Sequence, residues 1–254
     1  MRNFAFAVFL ATAVLGHAEE LTYHEGTTTC HGHLAAPAVA GGAVPGVVVL
    51  PAWKGLDEHA RTSANQLAKL GYIALAADIY GEGIQAKDAA EAGKLATGFK
   101  TDRALYRRRI AAALDALRAQ PLCRPSSLAV IGYCLGGTGA LEAARAGMPV
   151  RVVVSFHGGL AAGGEPTVSP IAARVVVLHG ADDPLVPPPE VAAFMDEMRM
   201  GKADWQLVAY GGARHSFSDP AAGDDRSKPT AYDALAAQRS WEAMRAALAE
   251  AFAP

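Results

Sequence analysis

The chain has little excess of charge of either sign. Lys and Arg number 23 and Asp and Glu 25 among 254 residues, a formal charge of −2. That balance gives no strongly basic surface for nucleic-acid phosphates or anionic lipid. Aromatics make up 7% and are scattered, so no basic and aromatic stripe offers itself for stacking bases. Metal-binding patterns are missing: there is no HExxH, no CxxC and no cluster of carboxylates. Gly132-x-x-x-Gly136-Gly137 lacks the Gly-Lys-Ser/Thr ending of a phosphate loop. No organic or metal cofactor is therefore expected. Cysteine is scarce, with Cys30, Cys123 and Cys134 alone. An odd count leaves at least one free thiol or an intermolecular bond. If Cys134 stays free, Cys30 and Cys123 are the one pair left for an intramolecular disulfide. The alternative is that both are small buried residues.

A bilayer-spanning apolar run is also absent. Phe4–Leu15 is apolar over 12 residues, short of the roughly 20 that a transmembrane helix needs. Arg2 precedes it, and Gly16-His17-Ala18 places small residues at a cleavage point before Glu19. Residues 1–18 therefore read as a secretory signal peptide, against the alternative of an N-terminal helix. The expectation is an exported domain, residues 19–254, periplasmic or secreted, monomeric and without a stable membrane anchor.

What is present is a core-former. Hydrophobic residues are 51% of the chain, and its length suits one large domain. Leu21–Glu25 and Thr28–Leu34 predict a hairpin around Gly26. After it, short continuous apolar runs (Val47–Leu50, Ile73–Ala77, Leu128–Tyr133, Val150–Phe156, Arg174–Leu178, Trp205–Tyr210) alternate with helical spacings. The helical segments are Glu58–Leu70, Lys87–Gln120 broken near Gly98, Leu135–Ala146, Glu190–Met200 and Tyr232–Ala251. The alternation predicts an α/β fold with a mostly parallel central sheet and helices on both faces.

Three segments carry chemistry. Gly132-Tyr133-Cys134-Leu135-Gly136-Gly137 follows an apolar run and precedes a helix, the setting of a nucleophile elbow. Its turn would lift Cys134 above the sheet at a helix N-terminus, where thiolate is favoured. Taken alone it could equally be a buried cysteine between packing glycines. Asp182-Asp183-Pro184-Leu185-Val186-Pro187 and Gly212-Ala213-Arg214-His215-Ser216-Phe217 each follow a strand. The order nucleophile, acid, histidine points to Cys134, Asp183 and His215 as a triad, with Asp182 a solvated turn residue. The oxyanion hole would use the backbone N–H of Leu135 and that of Trp53, in the loop Pro51-Ala52-Trp53-Lys54-Gly55. His157, in Ser155-Phe156-His157-Gly158-Gly159, is a pocket candidate. His179 is expected to pack beside the Asp183 turn.

With these segments in hand, the chain resembles the dienelactone hydrolase (carboxymethylenebutenolidase) family of α/β-hydrolases over about residues 20–252. The matching pieces are Gly71–Gly81, Ile131–Gly137, Ser155–Gly159, Asp183–Pro187 and His215–Phe217. The resemblance implies a Cys–His–Asp triad, a thioester acyl-enzyme and hydrolysis of an ester, lactone or thioester. Well-studied members carry a glutamate that contacts the resting thiol; here that position is Ala52. They also hold the substrate carboxylate with two arginines, where this chain has Glu82 and Asp219. The substrate-pocket candidates are thus Ala52, Lys54, Glu82, His157, Phe217 and Asp219, with Lys54 or Arg214 as a different anion contact. Two other readings remain open: a binding protein on a degenerate hydrolase scaffold, and a redox-responsive thiol protein.

Overall fold

A stack of short, wholly apolar strands has to be covered on both faces, and that requirement sets the architecture. The computed structural model describes residues 17–38, 42–164 and 170–253. Most of the expected signal peptide, residues 1–16, lies outside them; His17 and Ala18 open the first strand as exposed residues. Eight strands form one sheet: β1 (His17–Glu25), β2 (Thr28–Ala36), β3 (Val44–Leu50), β4 (Ile73–Ala76), β5 (Cys123–Tyr133), β6 (Val152–Phe156), β7 (Arg174–Gly180) and β8 (Trp205–Tyr210). Their order is β1-β2-β4-β3-β5-β6-β7-β8. The β1–β2 hairpin joins antiparallel to β4, and every later pairing is parallel.

Alternation within the apolar runs divides the core. Val48 and Leu50 join the layer under α2 (Ala89–Thr101), α3 (Arg103–Arg118), α4 (Leu135–Arg145) and α5 (Pro188–Met200). Val47 and Val49 join the opposite layer under α1 (Glu58–Lys69) and α6 (Ala234–Ala251). Such strands are hydrophobic throughout because neither face meets water. β3 lies between β4 and β5, so the chain crosses over β3 to begin β5. A reversal of this kind opens a crevice at the C-terminal strand ends, where α/β proteins place their sites.

One expectation is corrected and one open question is settled. The long helical segment does not break at Gly98, which lies inside α2; it breaks at Asp102. That residue ends α2, and its carboxylate accepts the Leu105 N–H at 2.8 Å to start α3. Nor do Cys30 and Cys123 pair: both are free and buried. Cys30 is on β2 and Cys123 on β5, with β4 and β3 between them. Three inter-strand steps are roughly 14 Å, well beyond disulfide reach.

A buried ionic network anchors the loop after β6. Arg145 meets Glu197 at 2.7 Å and Glu142 at 3.1 Å, and donates to the Leu160 carbonyl at 2.6 Å. Glu190 accepts the Leu160 and Ala161 N–H groups at 2.6 and 3.0 Å. The Thr138 hydroxyl donates to Gly159 O at 3.0 Å. This loop begins at His157, beside the site.

Candidate active site

Cys134 sits between β5 and α4 with φ 53° and ψ −113°, a conformation that L side chains rarely adopt. Its surroundings hold it there. A Cβ on Gly132 would collide with the Gly136 carbonyl, and one on Gly136 with the Leu50 carbonyl, so neither flanking position tolerates a side chain. The Cys134 N–H is shared between the Phe156 carbonyl at 3.0 Å and His157 Nδ1 at 3.2 Å. The Tyr106 hydroxyl donates to the Leu135 carbonyl at 3.0 Å, pinning the first turn of α4.

Asp183 and His215 lie just past β7 and β8. The Asp183 N–H donates to Gly180 O at 3.0 Å, closing a turn, and its Oδ1 accepts the Leu185 N–H at 2.8 Å. Oδ2 is left to accept His215 Nδ1–H at 2.8 Å. His215 Nε2 stands 3.0 Å from Cys134 Sγ. Asp183 and His215 are buried, and Cys134 is partly buried. Asp182 is exposed.

The electrostatics favour a charged pair. Burial alone would push the Cys134 thiol up. The positive charge and hydrogen bond of His215, helped by the Leu135 N–H and the Lys100 ammonium, more than offset it, so the pKa lies below the ordinary thiol value. Burial likewise opposes charging His215, but the Cys134 thiolate and the Asp183 hydrogen bond raise its pKa to about 10. Each charged form thus favours the other: the imidazolium favours thiolate, and the thiolate favours imidazolium.

The pocket candidates fall into two groups. Ala52, Trp53 and Lys54 lie on the loop after β3, at the crevice. The loop is fixed through its carbonyls: Ala52 O accepts from Gly55 N–H at 3.1 Å, Trp53 O from the Tyr80 hydroxyl at 2.7 Å and Lys54 O from Ala86 N–H at 2.9 Å. Asp219 is partly exposed, and its Oδ1 accepts the Ala221 N–H at 2.9 Å. Arg214 is partly buried. Glu82 is exposed but bound to β2, exchanging hydrogen bonds with Thr29 at 2.9 and 2.6 Å. Phe217 and His157 do not line an open pocket, contrary to expectation. Phe217 is 0% exposed and packs on Tyr210 in the α1–α6 layer. His157 is 2% exposed and lies behind His215, ring centroids 5.3 Å apart. His179 is buried close to Asp183, and burial lowers its pKa.

Four contributors had no local sequence signal. Tyr80, Tyr106, Lys100 and Ser218 act through partners 27 to 61 positions away or through space. Among the described residues no group of three or more His, Cys, Asp or Glu side chains could hold a metal ion, and no helix is long and apolar enough to cross a membrane.

Comparison with known proteins assigns the chain to a family. The model of the dienelactone hydrolase family matches residues 30–252. A Bradyrhizobium protein, described as a probable 2-oxo-3-(5-oxofuran-2-ylidene)propanoate lactonase, is 31% identical over 220 residues, covering 82% of this chain and 84% of its own. The crystal structure of a dienelactone hydrolase-like promiscuous phosphotriesterase from metagenomic libraries is 45% identical, with a TM-score of 0.89 over 94% of this chain and 100% of that one. A second solved structure, named m3DLH, is 44% identical with a TM-score of 0.90, covering 94% of this chain and 100% of that one. The chain belongs to the dienelactone hydrolase family and is an ester or lactone hydrolase of that kind.

Proposed function

We propose that the protein hydrolyses small, uncharged esters or lactones by covalent catalysis at Cys134. The observation that carries this is the unbroken chain Sγ–His215–Asp183, at 3.0 and 2.8 Å. The thiolate attacks the acyl carbon, and the oxyanion is held by the N–H groups of Leu135 and Trp53. As the tetrahedral adduct collapses, the His215 imidazolium gives its proton to the leaving oxygen, which leaves a thioester. Neutral His215 then takes a proton from water as it attacks the thioester. Collapse expels the thiolate and releases the acid, and the proton stays on His215. Asp183 fixes the ring and stabilises its charge. A binding scaffold would have no need of this alignment, and no particular observation favours one.

A neutral substrate is supported by the positions of Glu82 and Asp219, which stand where well-studied members of the family hold a substrate carboxylate with two arginines. Phosphotriesters are a second class, supported by the 45% identical phosphotriesterase; the same thiolate would attack phosphorus. We also propose export, on the leader-like residues 1–18.

Steady-state hydrolysis of short p-nitrophenyl esters tests the assignment. Cys134→Ala should lose essentially all activity above background, a fall of at least about 10³-fold. Equal rates for wild type and variant would overturn it.

A further inference from the structure

His157 is a buried histidine with two polar partners, no place in the proton path above and a strained backbone. Its φ is 40°, in the left-handed region. Its own N–H donates to Leu178 O at 2.8 Å, which continues the β6–β7 ladder and fixes the backbone. Its Nδ1 accepts the Cys134 N–H at 3.2 Å, and its Nε2 lies 2.8 Å from Ser218 Oγ. An atom that accepts an N–H carries no proton, so the neutral ring has its proton on Nε2 and donates it to Ser218. A second proton on Nδ1 would face the Cys134 N–H. It would also set a cation edge-on to His215, centroids 5.3 Å apart at 62°. Burial, the neighbouring His215 and His59 hold the His157 pKa well below the ordinary histidine value. It is therefore no reserve base.

The contacts close a loop of structure. Ser218 is three residues past His215, and Asp219 N–H donates to Ser216 O at 3.0 Å, folding that segment into a turn. From the nucleophile backbone one passes through the His157 ring to Ser218, along the turn to His215, and back to Sγ. Phe217 packs edge-on against the same ring at 5.2 Å and 82°.

We propose that His157 is a positioning residue: a neutral imidazole strut that braces the Cys134 backbone against the turn carrying His215 and so sets the Sγ–Nε2 separation. This rests on the Cys134 assignment above. The strut contacts no reacting atom. It acts through the alignment of two groups that do, and misplacement by a fraction of an ångström is costly there.

The test compares His157→Phe, His157→Asn and Ser218→Ala with wild type and Cys134→Ala. Phe keeps a ring but removes both polar links. Asn tolerates positive φ and offers an oxygen where Nδ1 stood. Ester hydrolysis is followed as kcat and KM, and Cys134 alkylation by iodoacetamide as a function of pH. His157→Phe should lower kcat by about 10-fold or more with KM within about twofold. Its alkylation midpoint should move to higher pH, because a loosened His215 favours thiolate less. His157→Asn should recover most of kcat and return the midpoint. Ser218→Ala, which cuts only the far link, should lower kcat by about threefold while the protein stays folded with a modestly lower Tm, and it decides the matter if His157→Phe does not fold. A wild-type kcat and midpoint in His157→Phe overturn the inference, as does an Asn variant no better than Phe, or wild-type kinetics in Ser218→Ala when Phe is unfolded. If Cys134→Ala keeps its activity, the nucleophile assignment falls and takes this inference with it; if that variant is dead, the His157 result stands or falls by itself.

Discussion

At the scale of single residues, Cys134 and His215 shift each other's titration in opposite senses. His215 has a raised pKa, so its charged form favours the folded state. That contribution is complete below about 6.5 and is lost as pH rises through about 10. Cys134 works in the other sense: its pKa is lowered, so its contribution is lost as pH falls through its folded value. With His215→Gln, burial is left as the main influence on the thiol, and burial favours the neutral form. The pH midpoint of Cys134 alkylation should therefore rise above that of wild type; a midpoint that stays put would mean no ion pair exists. The residues of this pair were legible in the sequence because each follows a strand in a fixed order. Asp183 could be separated from Asp182 by its Pro-Leu-Val-Pro context, and it alone of the two bonds to His215. His157 and Phe217 were misread as pocket residues because adjacency to a motif says nothing about side-chain direction. The partner of His157 is 61 residues away.

At the scale of elements, periodicity carried most of the information. Strands buried on both faces leave continuous apolar runs, and their centres were placed within a residue or two. Some of their ends were not. β5 starts at Cys123, five residues before its apolar run, because Arg124, Pro125 and Ser126 are exposed and extend it without a hydrophobic pattern. The break between α2 and α3 was sought at a glycine, but a Cβ on Gly98 meets nothing within 4 Å and a lone exposed glycine need not end a helix. The signal was the capping aspartate, Asp102. The elbow is the element with least tolerance. Gly136 faces the Leu50 carbonyl, a backbone atom that cannot turn aside. Gly136→Ala should then lower Tm by several degrees, a loss of about 1–3 kcal/mol, and reduce kcat as well. An unaltered Tm by thermal denaturation would show that α4 can shift away from β3 freely.

At the scale of the whole molecule, stability comes from the sheet and its two helical layers, with no covalent staple among the described residues. Cys30 and Cys123 are held apart by two strands. The proposed export would carry three free thiols into a compartment that permits disulfides. Mass spectrometry of the protein recovered from its host should give a chain beginning at Glu19. After unfolding without reductant, it should take up three alkyl groups. A chain beginning at Met1 would refute export, and one alkyl group in place of three would refute the free pair. The loops after β3, β4 and β8 are fastened by hydrogen bonds. The β3 loop is held by Tyr80, the β4 loop by Glu82 on Thr29 and the turn after His215 by Asp219 on Ala221. The β3 and β4 loops are tied to each other through Tyr80, and neither of these bonds uses the Asp219 turn. Because the β3 loop is held through its carbonyls, selection can alter Ala52 or Lys54 singly without moving Sγ relative to Nε2. Evolvability of this kind lets substrate range drift by point changes on an unmoved reaction centre, and relatives as different as a lactonase and a phosphotriesterase are what such drift leaves behind.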